Sequence, residues 1–241
     1  FVSETLNCFF IFFSFGFLPT IKRVFKLRRN QAVPLLCMGL LGGIAGPGLW
    51  FTGVAMTSAV NASLFGKIDI IITMTLAHLV LRERIERAHF YAIACILCGI
   101  LFVSLRGFSQ GVVFAPGDFI IILAALCLAS GDIIFRKFLK DVEPYLPTFT
   151  RCVVAISTFF ILSTFMEHRL IDEIRNFPLA LLPPLIGFAF VSRFLNSVLF
   201  YEAVTYVPII TVSLFGTLTI IGGAIFAYFY IGEAILWYQV V

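Results

Sequence analysis

The residues best placed to do chemistry in this chain are ionisable side chains inside long apolar runs. Lys67 and Asp69 lie near the middle of one run, and Arg193 lies mid-way along another with Asn196 one helical turn beyond it. A charge near the centre of a bilayer costs ~2.5–3.5 kcal/mol on insertion scales, so it faces a cavity or a partner. On a continuous helix, residues two apart stand about 200° around the axis. Lys67 and Asp69 therefore cannot pair closely; Lys67 shares a face with Ser63, and Asp69 with Thr73. Two readings are open. In the first, Lys67 and Arg193 line a central cavity and attract an anionic group of a substrate. Ser63, Asn196 and Thr217 then add polar lining, and Asp69 couples protons or balances charge. In the second, an Asp69–Arg193 or Asp132–Lys67 pair only fixes helix packing. Asp132, Arg151 and Glu202 sit nearer the ends of their runs, where a long or polar side chain reaches the interface at little cost.

Other chemistries find no support. Cys95 and Cys98 form a C-x-x-C one helical turn apart in an apolar segment with no second ligand pair, so small core residues are expected rather than a redox or metal site. His78 and His89 lack metal-ligand spacing, and Asn61-Ala-Ser63 fits a glycosylation pattern but runs into a membrane segment. No Walker loop, Ser-His-Asp arrangement or zinc signature appears on any connection, so an enzyme is not expected, nor is a metal or cofactor. No basic stretch is interleaved with aromatics on a polar background, which argues against nucleic acid as a partner.

The elements that position these charges follow from composition. The 241 residues are 61% hydrophobic and 12% charged, with 29 phenylalanines, whereas a soluble domain carries about a quarter charged residues. The outer surface must face lipid. A helix needs about 20 mostly apolar residues to cross the hydrocarbon. Such runs fall at 2–20, 33–54, 58–81, 88–106, 117–138, 148–166, 180–203 and 207–231, and another begins near Ile235. They are too long for barrel strands and lack period-two alternation, so they are helices. Lys and Arg set the orientation. Alternate connections hold Lys22, Arg23, Lys26, Arg28 and Arg29, then Arg82, Arg84 and Arg87, then Arg136, Lys137 and Lys140. The intervening ones hold only Arg106, Arg169 and Arg175. The basic connections are cytoplasmic, and residue 1 begins on the far side. The chain opens at Phe1 inside one membrane run and stops shortly into another, so it reads as a piece of a longer protein.

The sequence also repeats itself. Ser63-Leu64-Phe65-Gly66 recurs as Ser213-Leu214-Phe215-Gly216, 150 residues later. Without a gap the same offset pairs Val54 with Val204, Ala77 with Ala227, Glu83 with Glu233 and Ile85 with Ile235. It also pairs Phe9-Phe10-Ile11 with Phe159-Phe160-Ile161. Five spans separate matched helices, an odd number, so the two copies are expected to lie upside down relative to each other. Inverted repeats recur in secondary transporters, where exchanging the conformations of two halves exposes one site to each side in turn. Lys67 and Asp69 fall opposite Thr217 and Thr219, so the polarity is not symmetric. Gly39, Gly42, Gly43, Gly46 and Gly48 with Pro47 suit close helix approach. Pro183-Pro184 should weaken the start of its helix. Glu83 and Glu233 lie at the membrane edge, where bonding to free amides is expected.

These motifs carry a family resemblance. Ala55-Met-Thr-Ser-Ala-Val-Asn-Ala-Ser-Leu-Phe65, Lys67-Ile-Asp69 and Leu81-Arg-Glu83-Arg-Ile85 resemble the EamA repeat of the drug/metabolite transporter superfamily. Tyr201-Glu-Ala203 and Ile231-Gly-Glu233-Ala-Ile235 resemble its second copy. Arg82 departs from the pattern, since Gly232 precedes the second Glu. The resemblance implies an all-α transmembrane bundle of five plus five helices, with residues 1–107 as the first repeat, lacking its first helix, and 117–241 as the second. It implies a gradient-driven carrier of metabolites; the inverted repeat adds alternating access, and the intramembrane cations add a small polar substrate that is anionic or zwitterionic. A non-transporting scaffold or receptor-like subunit and a lipid flippase are the rival readings. The expected partners are a small-molecule substrate and the lipid bilayer of a plasma or inner membrane, with a homodimer also allowed.

Overall fold

The structure is a computed structural model and describes residues 2–104, 115–165, 177–216 and 218. Those residues are almost wholly helical, with no strand among them. The elements are α1 (Val2–Phe15), α2 (Phe17–Lys26), α3 (Arg29–Leu40), α4 (Gly46–Ala55), α5 (Ala59–Gly66), α6 (Ile68–Leu76) and α7 (Arg87–Ser104). They continue as α8 (Pro116–Ile134), α9 (Tyr145–Phe165), α10 (Leu182–Phe188), α11 (Asn196–Tyr206) and α12 (Ile209–Gly216). Widened π-helical turns at Leu41–Ala45 and Ala189–Leu195 join α3 to α4 and α10 to α11. Two more, Ala77–Leu81 and Phe135–Leu139, extend α6 and α8. Arg29–Ala55, Pro116–Leu139, Tyr145–Phe165 and Leu179–Tyr206 are each long and apolar enough to cross a bilayer.

Two expected spans differ from continuous helices. The first stops at Phe15, and α2 leaves it at 96°. Gly16 makes that bend with φ 82° and ψ 142°, a conformation open only to glycine at reasonable cost. The third run is interrupted at Lys67, which stands between α5 and α6 instead of inside one helix. Pro183 and Pro184 sit in the first turn of α10, where a missing N–H and a fixed φ are tolerated.

The 150-residue offset reappears in the backbone. Residue 29 opens α3, and residue 179 opens the 3₁₀ turn that leads into α10. The π turns end at Ala45 and Leu195, α4 and α11 begin at Gly46 and Asn196, and α5 and α12 begin at Ala59 and Ile209. Helix interruptions are thus repeated along with the apolar pattern, and the fold is that of two repeats.

The helices gather into two compact units, and neither is a sequence repeat. One comprises Phe1–Ala45 with Ile134–Tyr206, the other Gly46–Ile133 with Val207–Val241. In the first, α1 packs against α9 and the Ala189–Leu195 turn, and α3 packs along α9. Its centre holds Ile11, Met38, Phe135, Leu146 and Tyr201, all nearly inaccessible. The expected glycine packing is found there at Gly39, Gly42 and Gly43, where a Cβ on Gly43 would lie 2.9 Å from the Arg151 carbonyl oxygen, but not at Gly48, where a Cβ would meet nothing within 4 Å. In the second unit α5 packs on α7, and α12 on α6. Ala62, Phe65 and Ile121 form its core with Trp50, Ile68 and Ile122. The backbones of α4 and α8 nearly touch. A Cβ on Gly117 would stand 2.7 Å from the Met56 carbonyl carbon, and one on Gly53 would stand 2.9 Å from the Gly117 oxygen. Only small residues permit that approach.

Candidate functional site

The first unit holds a polar constellation inside its helices. Glu4 on α1 sits at its centre. Its Oε1 lies 3.5 Å from Arg193 Nε, and its Oε2 accepts a hydrogen bond from the Cys152 thiol at 3.4 Å. The Arg193 contact is one of charge and not an aligned hydrogen bond, because the buried Nε lacks a hydrogen-bonded partner. The guanidinium lies over the Phe188 ring, 5.6 Å from its centroid. The Glu4 side chain is 15% exposed and that of Arg193 32%, so both are largely withdrawn from solvent. One turn along α1 is Asn7, 3% exposed, whose Oδ1 is buried without a hydrogen-bond partner.

Helical rise gives the depth of this cluster. The Phe15 ring stacks on Tyr145 with centroids 4.1 Å apart, which levels the end of α1 with the start of α9. Glu4 lies eleven residues back from Phe15. At 1.5 Å per residue that is about 16 Å. Cys152, which Glu4 also touches, lies seven residues or about 10 Å into α9, so the cluster stands about a third to a half of the hydrocarbon thickness from that level. Arg193 is set at the same level because α1 packs on the turn that carries it.

A second set of contacts begins at the neighbouring residue of α9. Arg151 donates to the Tyr201 hydroxyl at 3.0 Å and to the Gly42 carbonyl at 3.0 Å. The expectation that Arg151 snorkels to the interface is therefore corrected: the side chain turns into the bundle. The reason is steric and polar together. Gly42 leaves room for the guanidinium and Gly43 lets the Arg151 backbone approach, while the Gly42 carbonyl in the π turn accepts from the side chain. Arg136 does act at a helix end, donating to the carbonyls of Val204 and of Thr205, the latter at 2.9 Å. It satisfies the end of α11 and favours its dipole. Glu202 is exposed, as its terminal position suggests.

The second unit has a different centre, which sequence reasoning missed. Asp118 in the first turn of α8 is wholly inaccessible. Its Oδ1 accepts from the Thr57 hydroxyl at 2.5 Å, and its Oδ2 from Asn61 Nδ2 at 2.9 Å and the Ala115 amide at 2.8 Å. Ser58 supports the arrangement by capping α5, its hydroxyl accepting from the Asn61 amide at 3.1 Å. The only sequence signal was an Asp two residues after a Pro at a helix start, an ordinary first-turn position. Asn61 is thus a buried cross-helix donor.

Lys67 and Asp69 flank the α5–α6 interruption in this unit, both half-buried, with Asp69 in the first turn of α6. One Asp69 oxygen, Oδ1, is buried with no hydrogen-bond partner. Ser63 lies on α5, and Asn196 is exposed at the first position of α11. Thr217 and Thr219 lie outside the described residues. Arg193 belongs to the first unit and has Glu4 as its charge partner, an acid that hydropathy had placed in the opening turn of a span. At the edge of the second unit, Glu83 Oε1 accepts from the Ile209 amide at 3.3 Å. It thereby caps α12, a helix of the other repeat. His78 and His89 both serve backbone: His78 Nδ1 lies 3.0 Å from the Glu83 carbonyl, and His89 Nδ1 accepts from the Glu86 amide at 3.0 Å.

Helices of membrane-crossing length, apolar exteriors and ionisable groups held between helices define a multi-pass integral membrane protein. The profile of the EamA-like transporter family matches residues 4–105 and again residues 115–241, and the chain belongs to that family. It is 28% identical over 211 residues to an uncharacterized transporter of Methanothermobacter thermautotrophicus strain Delta H, a match covering 86% of this chain and 60% of that protein. It is 25% identical over 219 residues to the uncharacterized transporter YyaM of Bacillus subtilis strain 168, covering 90% of this chain and 70% of the relative. The chain thus spans about three fifths of the archaeal relative's length.

Proposed function

We propose that the protein is a secondary carrier of a small polar metabolite bearing an anionic group, working by alternating access between two inverted repeats. The observation that carries this reading is the Glu4–Arg193 pair held between apolar helices, a charge contact at 3.5 Å with the Arg193 Nε lacking a hydrogen bond. An intramembrane ion pair that is loosely aligned can be opened by a competing ligand. An anionic substrate takes the Arg193 guanidinium, which offers planar, two-pronged recognition of a carboxylate or phosphate. Glu4 is then left without its cation in a low-dielectric site, and release of the substrate restores the pair. Opening and re-forming the pair accompany each substrate cycle on this account, which gradients drive without nucleotide hydrolysis.

The interrupted helix supports the same reading from the second unit. Discontinuous helices at mid-membrane expose unpaired backbone groups, and transporters place coupling ions and substrates at such breaks. Lys67 at the break and Asp69 beyond it, with a buried unpartnered oxygen, are candidates for a polar station of that kind. Ser63, Asn196 and Thr217 remain candidates for neutral lining.

The test is counterflow in proteoliposomes holding the full-length protein, with radiolabelled glutamate, malate and adenosine monophosphate as probes. Exchange of at least one probe, abolished in Arg193→Ala, is the expected result. No exchange with any of them, together with unchanged cell phenotypes for Arg193→Ala and Lys67→Ala, would sink the carrier reading.

A further inference from the structure

We infer that α2 is an in-plane interfacial helix that recognises anionic phospholipid headgroups of the cytoplasmic leaflet. α1, 14 residues long, packs along α9, which is long and apolar enough to cross a bilayer, and α2 departs from α1 at 96°, so α2 runs close to parallel with the membrane surface. The bend is built in. Gly16 adopts a positive φ of 82°, and the Thr20 hydroxyl donates to the Gly16 carbonyl at 2.7 Å, locking the first turn of α2 against the bend.

The faces of α2 then match the layers of an interface. At 3.6 residues per turn, Phe17, Leu18, Ile21, Val24 and Phe25 share one side, and Lys22 and Lys26 lie on the other. Phe17 is 54% exposed, Leu18 64% and Phe25 85%, so the apolar side is not spent on the protein core. Thr20, wholly buried, marks the face that meets the rest of the unit. Arg23 ties that face down. It donates to the Tyr145 hydroxyl at 2.9 Å and pairs with Glu143 at 2.9 Å, both at the start of α9. A short helix with an apolar stripe toward the acyl chains and lysines above it is the pattern of an interfacial anchor.

Charge selects the lipid. Glu143 already faces Arg23, whereas Lys22 and Lys26 are exposed and are followed by exposed Arg28 and Arg29. No acidic residue lies between 16 and 30. The excess of Lys and Arg on this connection assigns it to the cytoplasmic side, where anionic lipids give the surface a negative potential. Each basic residue near such a surface is worth roughly a fivefold change in binding.

The test uses the full-length protein in nanodiscs of phosphatidylcholine with or without phosphatidylglycerol. Phe25→Trp should gain fluorescence that brominated acyl chains quench, and Lys22→Trp should gain fluorescence that they do not. In lipid-exchange titrations read by native mass spectrometry, Lys22→Gln/Lys26→Gln should lower the preference for phosphatidylglycerol over phosphatidylcholine by about 25-fold, two charges at fivefold each. An unquenched Phe25→Trp overturns the inference and gives the apolar face to a protein partner. Quenching with an unchanged phosphatidylglycerol preference overturns the headgroup assignment.

Discussion

Replacing Asp118 by alanine and by asparagine separates two contributions to the second unit. The carboxylate is wholly buried and takes three donors: Thr57 on Oδ1, and Asn61 and the Ala115 amide on Oδ2. Asp118→Ala removes every acceptor at once. A donor stranded in a buried site costs about 1–3 kcal/mol. Thr57 and Ala115 are only half-buried and recover part of their bonding from water, whereas Asn61 is 4% exposed. The sum is about 3 kcal/mol. In Asp118→Asn the amide oxygen can keep both N–H donors while the Thr57 hydroxyl turns to accept from the new NH₂. Only the charge enhancement of the bonds is lost, and burying a neutral group recovers some of that, leaving about 1 kcal/mol. For a chain of this size, 1 kcal/mol moves the melting temperature by roughly 2–4 °C. Thermal ramps of the purified protein in one detergent, read by size-exclusion of the surviving monodisperse fraction, should give losses of about 6–12 °C for alanine and 2–4 °C for asparagine. Equal losses for the two variants, or an alanine loss within the asparagine range, would refute the account of Asp118 as an acceptor hub.

Further outcomes follow from the same geometry. Arg82 holds a left-handed backbone, φ 57° and ψ 30°, at the end of the Ala77–Leu81 turn; Arg82→Gly should stabilise by about 0.5–1 kcal/mol in the same thermal assay, because the conformational strain relieved exceeds the chain entropy added. Gly117→Ala drives a Cβ into backbone atoms of Gly53 and Met56, which cannot rotate aside, and should destabilise by about 1–3 kcal/mol. Removing Arg193 alone leaves Glu4 buried without its cation and should cost about 3 kcal/mol; the doubly neutral Glu4→Gln/Arg193→Gln should be more stable than Arg193→Gln alone. In exchange assays Arg193→Lys should lose transport at least about tenfold while folding normally, since a point charge does not reproduce the guanidinium fork.

Much of the fold was legible because crossing a bilayer is a local demand. Twenty apolar residues between basic connections announce a helix whatever its neighbours, and the 150-residue repeat is a comparison of the chain with itself. The helix starts at Ala59 and Ile209, and the π turns ending at Ala45 and Leu195, keep that register. The polar sites were only half legible. Lys67, Asp69 and Arg193 stood out because each interrupts hydrocarbon. Glu4 and Asp118 were hidden in opening turns, where acids are common and cheap. Arg151 was judged by its distance from a span end, and that distance says nothing about an opening on the helix opposite.

Sequence alone, then, determined the ionisable groups carried in lipid-facing runs, the helical class and the two copies, since hydropathy and self-similarity need no knowledge of packing. Only the tertiary structure decided which charges meet. Glu4 reaches Arg193 because α1 packs on the Ala189–Leu195 turn, and Arg151 turns inward because Gly42 opens a slot on the neighbouring helix. Asp118 collects Thr57 and Asn61 because α4 and α8 cross at glycines close enough for their backbones to touch. Such pairings span 50 to 200 residues of chain. No local pattern encodes them, because they are set by which helix faces pack together.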